Sequence, residues 1–231
     1  ELEIEQHRAQ LLNEFITNTS HELRTPLTTI GTGVYLMSRI DDPVRRQEKA
    51  AQVRVQIDYL NKLISQLHEM ARLDRLTQIK SSAVHLETLL TYIFDLYRTK
   101  HPATQLIAHF EADLPSVAVD LDLVQDAIVQ VIDNAIHFSP EGSEIVISAA
   151  HVDGEVVIAV EDHGEGIPPE HLEHIFEHFY KVDEARTQLH GGTGMGLTRT
   201  QRIMQLHSGY ATATSTVGVG TILSLHFPAL G

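Results

Sequence analysis

The chain has 231 residues, 42% hydrophobic and 21% charged, enough for one large or two modest domains with packed cores. A formal net charge of −14 argues against binding nucleic acid or an anionic membrane surface by electrostatics. Without cysteine there is no disulfide framework and no thiolate chemistry, and no apolar run approaches the roughly 18 residues of a membrane span. The 15 histidines are mostly scattered singly, and none falls in a spacing that reads as a metal site. Glu1 stands within a helical pattern, so the chain reads as a fragment, cytoplasmic and without membrane contact of its own, any anchor lying upstream.

Residues 1 to about 40 predict a long amphipathic helix, with Leu12, Ile16, Thr19, Leu23, Ile30, Val34 and Met37 as its stripe. With Ile16 and Leu23 as heptad a positions, His21 falls at f, farthest from the seam and facing solvent. Glu22 adjoins it, Thr25 lies one turn on, and Pro26 loosens the helix there. Asp41-Asp42-Pro43 is a break in which Asp42 can cap a second helix and Pro43 suits its first position. That helix runs to about Leu76 on Val53, Ile57, Leu60, Ile64, Leu67 and Ala71. Two helices on a short turn lie antiparallel, and a lone hairpin buries its stripes poorly, so a dimeric four-helix bundle is expected.

From Thr77 the texture changes. Strands are expected at Ile79–Val84, Leu106–Glu111 and Val117–Val119, with helices over Leu86–Arg98 and from about Asp122 to His137. Glu144–His151 and Glu155–Glu161 alternate around Asp153-Gly154, a hairpin signal. A short helix at Pro169–Phe176, a poorly patterned stretch at Lys181–Gly192, a helix at Gly194–Ser208 and a hairpin of Tyr210–Ser215 with Thr221–Phe227 complete the chain. Residues 77–231 are therefore expected to form an α+β sandwich, one layer of each, behind an all-α domain of residues 1–76.

Four clusters in the second part have their own physical logic. Asn134-Ala135-Ile136-His137-Phe138 ends a strong helix and offers a neutral amide oxygen suited to a hard cation. Asp162-His163-Gly164-Glu165-Gly166-Ile167 follows a strand, its glycines permitting a turn that side chains would block. Phe176-Glu177-His178-Phe179-Tyr180 precedes the unpatterned stretch. Gly192-Thr193-Gly194-Met195-Gly196-Leu197 opens a helix, where free N–H groups can hold phosphate oxygens. It is neither a Walker loop, lacking Lys-Ser/Thr, nor placed as in a dinucleotide fold.

The octet Ser20-His21-Glu22-Leu23-Arg24-Thr25-Pro26-Leu27 closely resembles the phosphoacceptor box of sensor histidine kinases of the HisKA type. The four clusters resemble, in order, the N, G1, F and G2 boxes of that family's ATP-binding domain, the Bergerat (GHKL) fold shared with gyrase and MutL. The resemblance covers essentially all 231 residues. It implies that Asn134, with Gln130 beside it, binds Mg²⁺ and that His137 lies near the phosphates, where the family usually has Lys. Phe138 would cover base or ribose, Asp162 would accept the adenine amine through ordered water, and Gly164, Gly166 and Ile167 would shape the turn. Tyr180, Gly192, Thr193, Gly194, Gly196, Leu197 and the Thr221 of a closing Gly218-Val219-Gly220-Thr221 turn complete the implied ATP site. The segment between Tyr180 and Gly192 resembles a lid.

The activity so implied is autophosphorylation of His21 from Mg-ATP, with Glu22 as base, then transfer to an aspartate of a response-regulator receiver domain; Thr25 would position water for dephosphorylating that partner. Histidine, with an ordinary value near 6.5, is nucleophilic when neutral and needs little activation. Position 130 discriminates, since the superfamily's hydrolases carry Glu four residues before the metal-binding Asn, and Gln130 cannot take a proton at neutral pH. Two alternatives stand beside this reading. Gln130, His137 and Arg199 depart from the family pattern and suggest a nucleotide-binding scaffold that signals by dimerisation. A stand-alone ATPase of the same fold is opposed by Gln130 and by residues 1–76.

Overall fold

The computed structural model describes residues 2–182 and 192–230, with side chains from Asn13 onward, Glu14 excepted. Helix α1 (Leu2–Met37) and helix α2 (Pro43–Arg75) are joined by a turn that the sequence closes locally. Ser38 bonds back to the Tyr35 carbonyl, and the Arg46 guanidinium donates twice to the Ile40 carbonyl, at 3.0 and 2.7 Å. These bonds stop α1 a turn short of residue 40. The Asp42 carboxylate accepts from the Val44 N–H at 2.9 Å, a cap with Pro43 in the first helical position.

Val53, Leu63 and Met70 are buried, as are Pro26 and Gly33. Ile16, Val34, Ile57 and Ile64 stay 52%, 52%, 42% and 49% exposed, so one copy leaves part of both stripes uncovered.

The remaining elements are β1 (Ser82–Val84), α3 (Leu86–Lys100), β2 (Gln105–Phe110), β3 (Val117–Val119), α4 (Leu121–Phe138), β4 (Glu144–Val152), β5 (Glu155–Asp162), α5 (Pro169–Leu172), α6 (Gly196–Leu206), β6 (Tyr210–Thr216) and β7 (Gly220–Pro228). A five-stranded sheet runs β2-β4-β5-β7-β6, antiparallel except for the β2–β4 pair, and β1 pairs with β3 apart from it. The strict alternation of β5, buried at Val156, Ile158, Val160 and Asp162, turns one sheet face to the helices. Against it pack Leu123, Val124, Ala127, Ile128, Val131, Ile132 and Ala135, the stripe of α4. The Asp120 carboxylate caps that helix by accepting from the Leu123 N–H.

Some expected boundaries shift. The first strand begins at Ser82 rather than Ile79 because its partner β3 is only three residues long. The helix expected over Pro169–Phe176 ends at Leu172; beyond it the chain winds in tight i→i+3 turns, His174 N–H to His171 carbonyl and Glu177 N–H to His174 carbonyl. Among the described residues one compact unit comprises 2–72 and 192–195, the other 73–182 and 196–230.

Candidate functional site

His21 lies on the exposed side of α1, and Glu22 is half-buried. Around them the helix hydroxyls bond backward: Thr19 to the Phe15 carbonyl, Ser20 to Ile16, Thr25 to His21 (3.3 Å), Thr28 to Arg24 and Thr29 to Thr25. Such back-bonding bends helices, and Pro26, with no N–H, removes the ladder bond to the Glu22 carbonyl in the same turn. Thr25 is exposed one turn beyond His21, so the two share a solvent-facing strip.

In the other unit the C-terminal half of α4 presents Gln130, Asn134, His137 and Phe138. The Gln130 amide donates to Asn134 Oδ1 at 3.1 Å, a pairing one helical turn apart. The same Gln130 side chain sits against Gly196 at the start of α6, where a methyl would lie 2.5 Å from its carboxamide carbon. His137 is exposed and meets Phe138, itself 53% exposed, edge to face at 4.7 Å.

The end of β5 carries Asp162, 7% exposed. Its Oδ1 accepts from the Gly164 N–H at 2.8 Å and the Thr221 N–H at 3.3 Å. Burial pushes the carboxyl above its ordinary value, and those two N–H groups oppose the shift. Gly166 holds φ +71°, and a methyl there would fall 2.2 Å from the Thr216 carbonyl, so the loop can lie against the β6–β7 hairpin only with glycine. The Gly218 N–H closes that contact by donating to the Glu165 carbonyl. Ser215 completes it: its oxygen accepts from the Ile167 N–H at 2.8 Å and stands 2.9 Å from the Thr221 hydroxyl. Nothing in the sequence marks Ser215, since a serine in an alternating strand carries no signal.

Tyr180 is half-buried, its hydroxyl 2.5 Å from His171 Nδ1 and its ring 5.4 Å from that of His174. Phe179 beside it is buried with φ +65°, a strained conformation for a bulky residue. Thr198 on α6 reaches back to the Glu177 carbonyl at 2.8 Å. Leu197 is half-buried in the first turn of α6. Gly192, Thr193 and Gly194 fall in the first compact unit, where the Thr193 hydroxyl donates to Gln66. Of the expected lid, residues 183–191 lie outside the described residues. Arg199 is accommodated by an ion pair with Asp126 of α4 at 2.9 Å.

The arrangement thus gathers Gln130, Asn134, Asp162, Gly164, Gly166, Ile167, Gly196 and Thr221 around the ends of α4 and β5 and the start of α6. Two carboxamide oxygens suit a hard cation. A buried carboxylate whose backbone bonds all go to Oδ1 presents Oδ2 as an acceptor.

Residues 119–231 match the family profile described as "Histidine kinase-, DNA gyrase B-, and HSP90-like ATPase", and residues 11–76 match "His Kinase A (phospho-acceptor) domain". The Sensor protein SrrB of Staphylococcus aureus (strain N315) is 32% identical over 225 residues, which is 95% of this chain and 38% of that protein. The chain therefore spans less than half the length of the curated relatives it matches. Among solved structures, histidine kinase ThkA in complex with response regulator protein TrrA superposes with a TM-score of 0.79 at 20% identity, covering 97% of this chain and 64% of ThkA. Full-length ShkA in complex with AMPPNP superposes with a TM-score of 0.67 at 24% identity, covering 96% of this chain and 46% of that one. These likenesses show the fold: a helical hairpin followed by the GHKL α+β domain.

Proposed function

Because the chain belongs to the sensor histidine kinase family, we propose that it phosphorylates its own His21 from Mg-ATP. The phosphoryl group then passes to an aspartate of a response-regulator receiver domain, on which the chain also acts as phosphatase. Residues 1–76 are the dimerisation and acceptor domain and residues 77–231 the ATP-binding domain, working in the cytoplasm. ShkA with AMPPNP and ThkA with TrrA support the ligand class and the partner. The half-exposed Ile16, Val34, Ile57 and Ile64 support a homodimer closed through the hairpin.

In the reaction a neutral ring nitrogen of His21 attacks the γ-phosphorus. A nitrogen–phosphorus bond forms, the bond to the bridging oxygen breaks, and ADP carries off the electron pair. Glu22 accepts the proton from the other ring nitrogen. Asp162 Oδ2 orients the adenine amine, Phe138 and Tyr180 cover the base and ribose, and His137 lies by the phosphates. Gly192, Thr193, Gly194, Gly196 and Leu197 offer backbone N–H groups to phosphate oxygens. Asn134 and Gln130 would hold Mg²⁺, which neutralises phosphate charge when bound. Thr25 orients water on the phosphorylated regulator. With an amide at position 130 there is no side-chain base there to activate water, which favours transfer to protein over hydrolysis.

The observation that carries this reading is the exposed imidazole of His21 beside a carboxylate, in a chain whose other unit holds a buried Asp162 at a glycine turn. Incubation with γ-labelled ATP is expected to give acid-labile, alkali-stable label that disappears in His21→Gln. Mixing His21→Gln with an Asn134→Ala chain restores label if transfer crosses subunits. Label persisting in His21→Gln overturns the assignment; steady phosphate release without protein label identifies an ATPase instead.

A further inference from the structure

Glu22 does not stand alone on its helix. The phenol of Tyr59, on the facing helix α2, donates to Glu22 Oε2 at 2.8 Å. Burial, then the bond to Glu22 and its charge, push the Tyr59 hydroxyl far above its ordinary value, so it is a permanent donor. Tyr59 and Glu22 are both half-buried, whereas His21, one residue away, faces solvent.

A glutamate on a helix surface has three rotatable bonds, and holding it in one arrangement costs rotamer entropy. A base that must take a proton as transfer begins gains from having that cost met beforehand. From this geometry, resting on the reading above, we propose that Tyr59 is a positioning residue for autophosphorylation: it tethers one carboxylate oxygen of Glu22 across the hairpin and so fixes the base beside His21. Tyr59 touches neither nucleotide nor imidazole in this role; it acts through Glu22. Nothing in the sequence marks Tyr59, which lies outside the apolar stripe of α2.

The test is a double-mutant cycle on the dimeric protein, scored by the single-turnover labelling rate at saturating ATP, the KM for ATP and the melting temperature. Tyr59→Phe keeps the ring and its packing and removes only the donor. It is expected to lower the labelling rate about 10-fold, a fraction of the 10²–10⁴ that a positioned base supplies, with KM for ATP unchanged. In a Glu22→Ala background the same change is expected to have no further effect on the residual rate. A Tyr59→Phe chain that labels as fast as wild type overturns the proposal. So does an equal loss in both backgrounds, which would mark Tyr59 as a packing residue only. The parent reading is judged separately: if wild type takes no label, or His21→Gln keeps it, the kinase assignment fails whatever Tyr59 does.

Discussion

The acceptor turn and the Asp162 turn are built on opposite plans. Around His21 the serine and threonine hydroxyls bond to carbonyls four residues back, within one helix, and the Tyr59–Glu22 bond crosses to α2. Around Asp162 one bond is local, from Gly164, but the turn is also held from far along the chain: Thr221 lies 59 residues away, and Ser215 bridges to Ile167 across 48. A group that must be reached by a partner protein can sit on a self-contained helix, because nothing has to enclose it. If Asp162 reads a base, as proposed above, it must be dry and fixed, and that takes several segments at once. Sequence separation is thus a physical marker of which half of the chemistry is presented and which is enclosed.

Three changes test that contrast in decreasing order of effect. Asp162→Asn should weaken Mg-ATP binding about 100-fold, the scale of losing a hydrogen bond to a charged group, as measured by calorimetry. Its effect on stability has the opposite sign. Because the folded carboxyl is raised, its stabilising contribution is complete below the ordinary carboxylate range and is lost as pH rises through the folded value. The variant should therefore melt no lower than wild type at pH 7, and any advantage should vanish in acid. A uniform loss of stability at every pH would mean Asp162 is a structural residue.

His207 offers a middle-sized effect. Its Nε2 accepts from the Asp120 N–H at 3.0 Å while its Nδ1 stands 2.7 Å from the Ile203 carbonyl, so the ring is held as one neutral tautomer joining α6 to the start of α4. Burial is the main cause lowering its ionisation below the ordinary histidine value. The resulting stability is complete above about pH 6.5 and is lost as pH falls through the depressed folded value. His207→Gln should cost about 1 kcal/mol at pH 8 and flatten the acid side of the urea-unfolding profile; an unchanged profile would remove His207 as its source. Smallest is Arg199→Met, which deletes a partly exposed ion pair with Asp126. A change within about 1 kcal/mol by the same urea assay, with labelling retained, is expected. Loss of labelling would instead tie this family departure to catalysis.

What could be read in advance follows the same division. The helix carrying His21, the stripe of α4 and both hairpins are local patterns, and each stands in the structure where its periodicity put it. The parallel pairing of β2 with β4 was not legible, because nothing in either strand names its neighbour. The early end of α5 was missed because Phe176 and Ile175 extend an apolar pattern that the backbone follows in tighter turns. Ser215 and Tyr59 matter through partners 48 and 37 positions away, and no window on the chain contains both members of either pair.

The parallel β2–β4 pair also sets an order of events during synthesis. An antiparallel helical hairpin closes on near neighbours, whereas β2 cannot register with β4 until β3, α4 and the turn after it have all been made. The helical pair therefore forms early and quickly, and waits beside the ribosome with its oily seam half open while the slower sheet assembles. Chaperone capture of nascent chains should concentrate in that interval, on the acceptor helices rather than on the strands still to come.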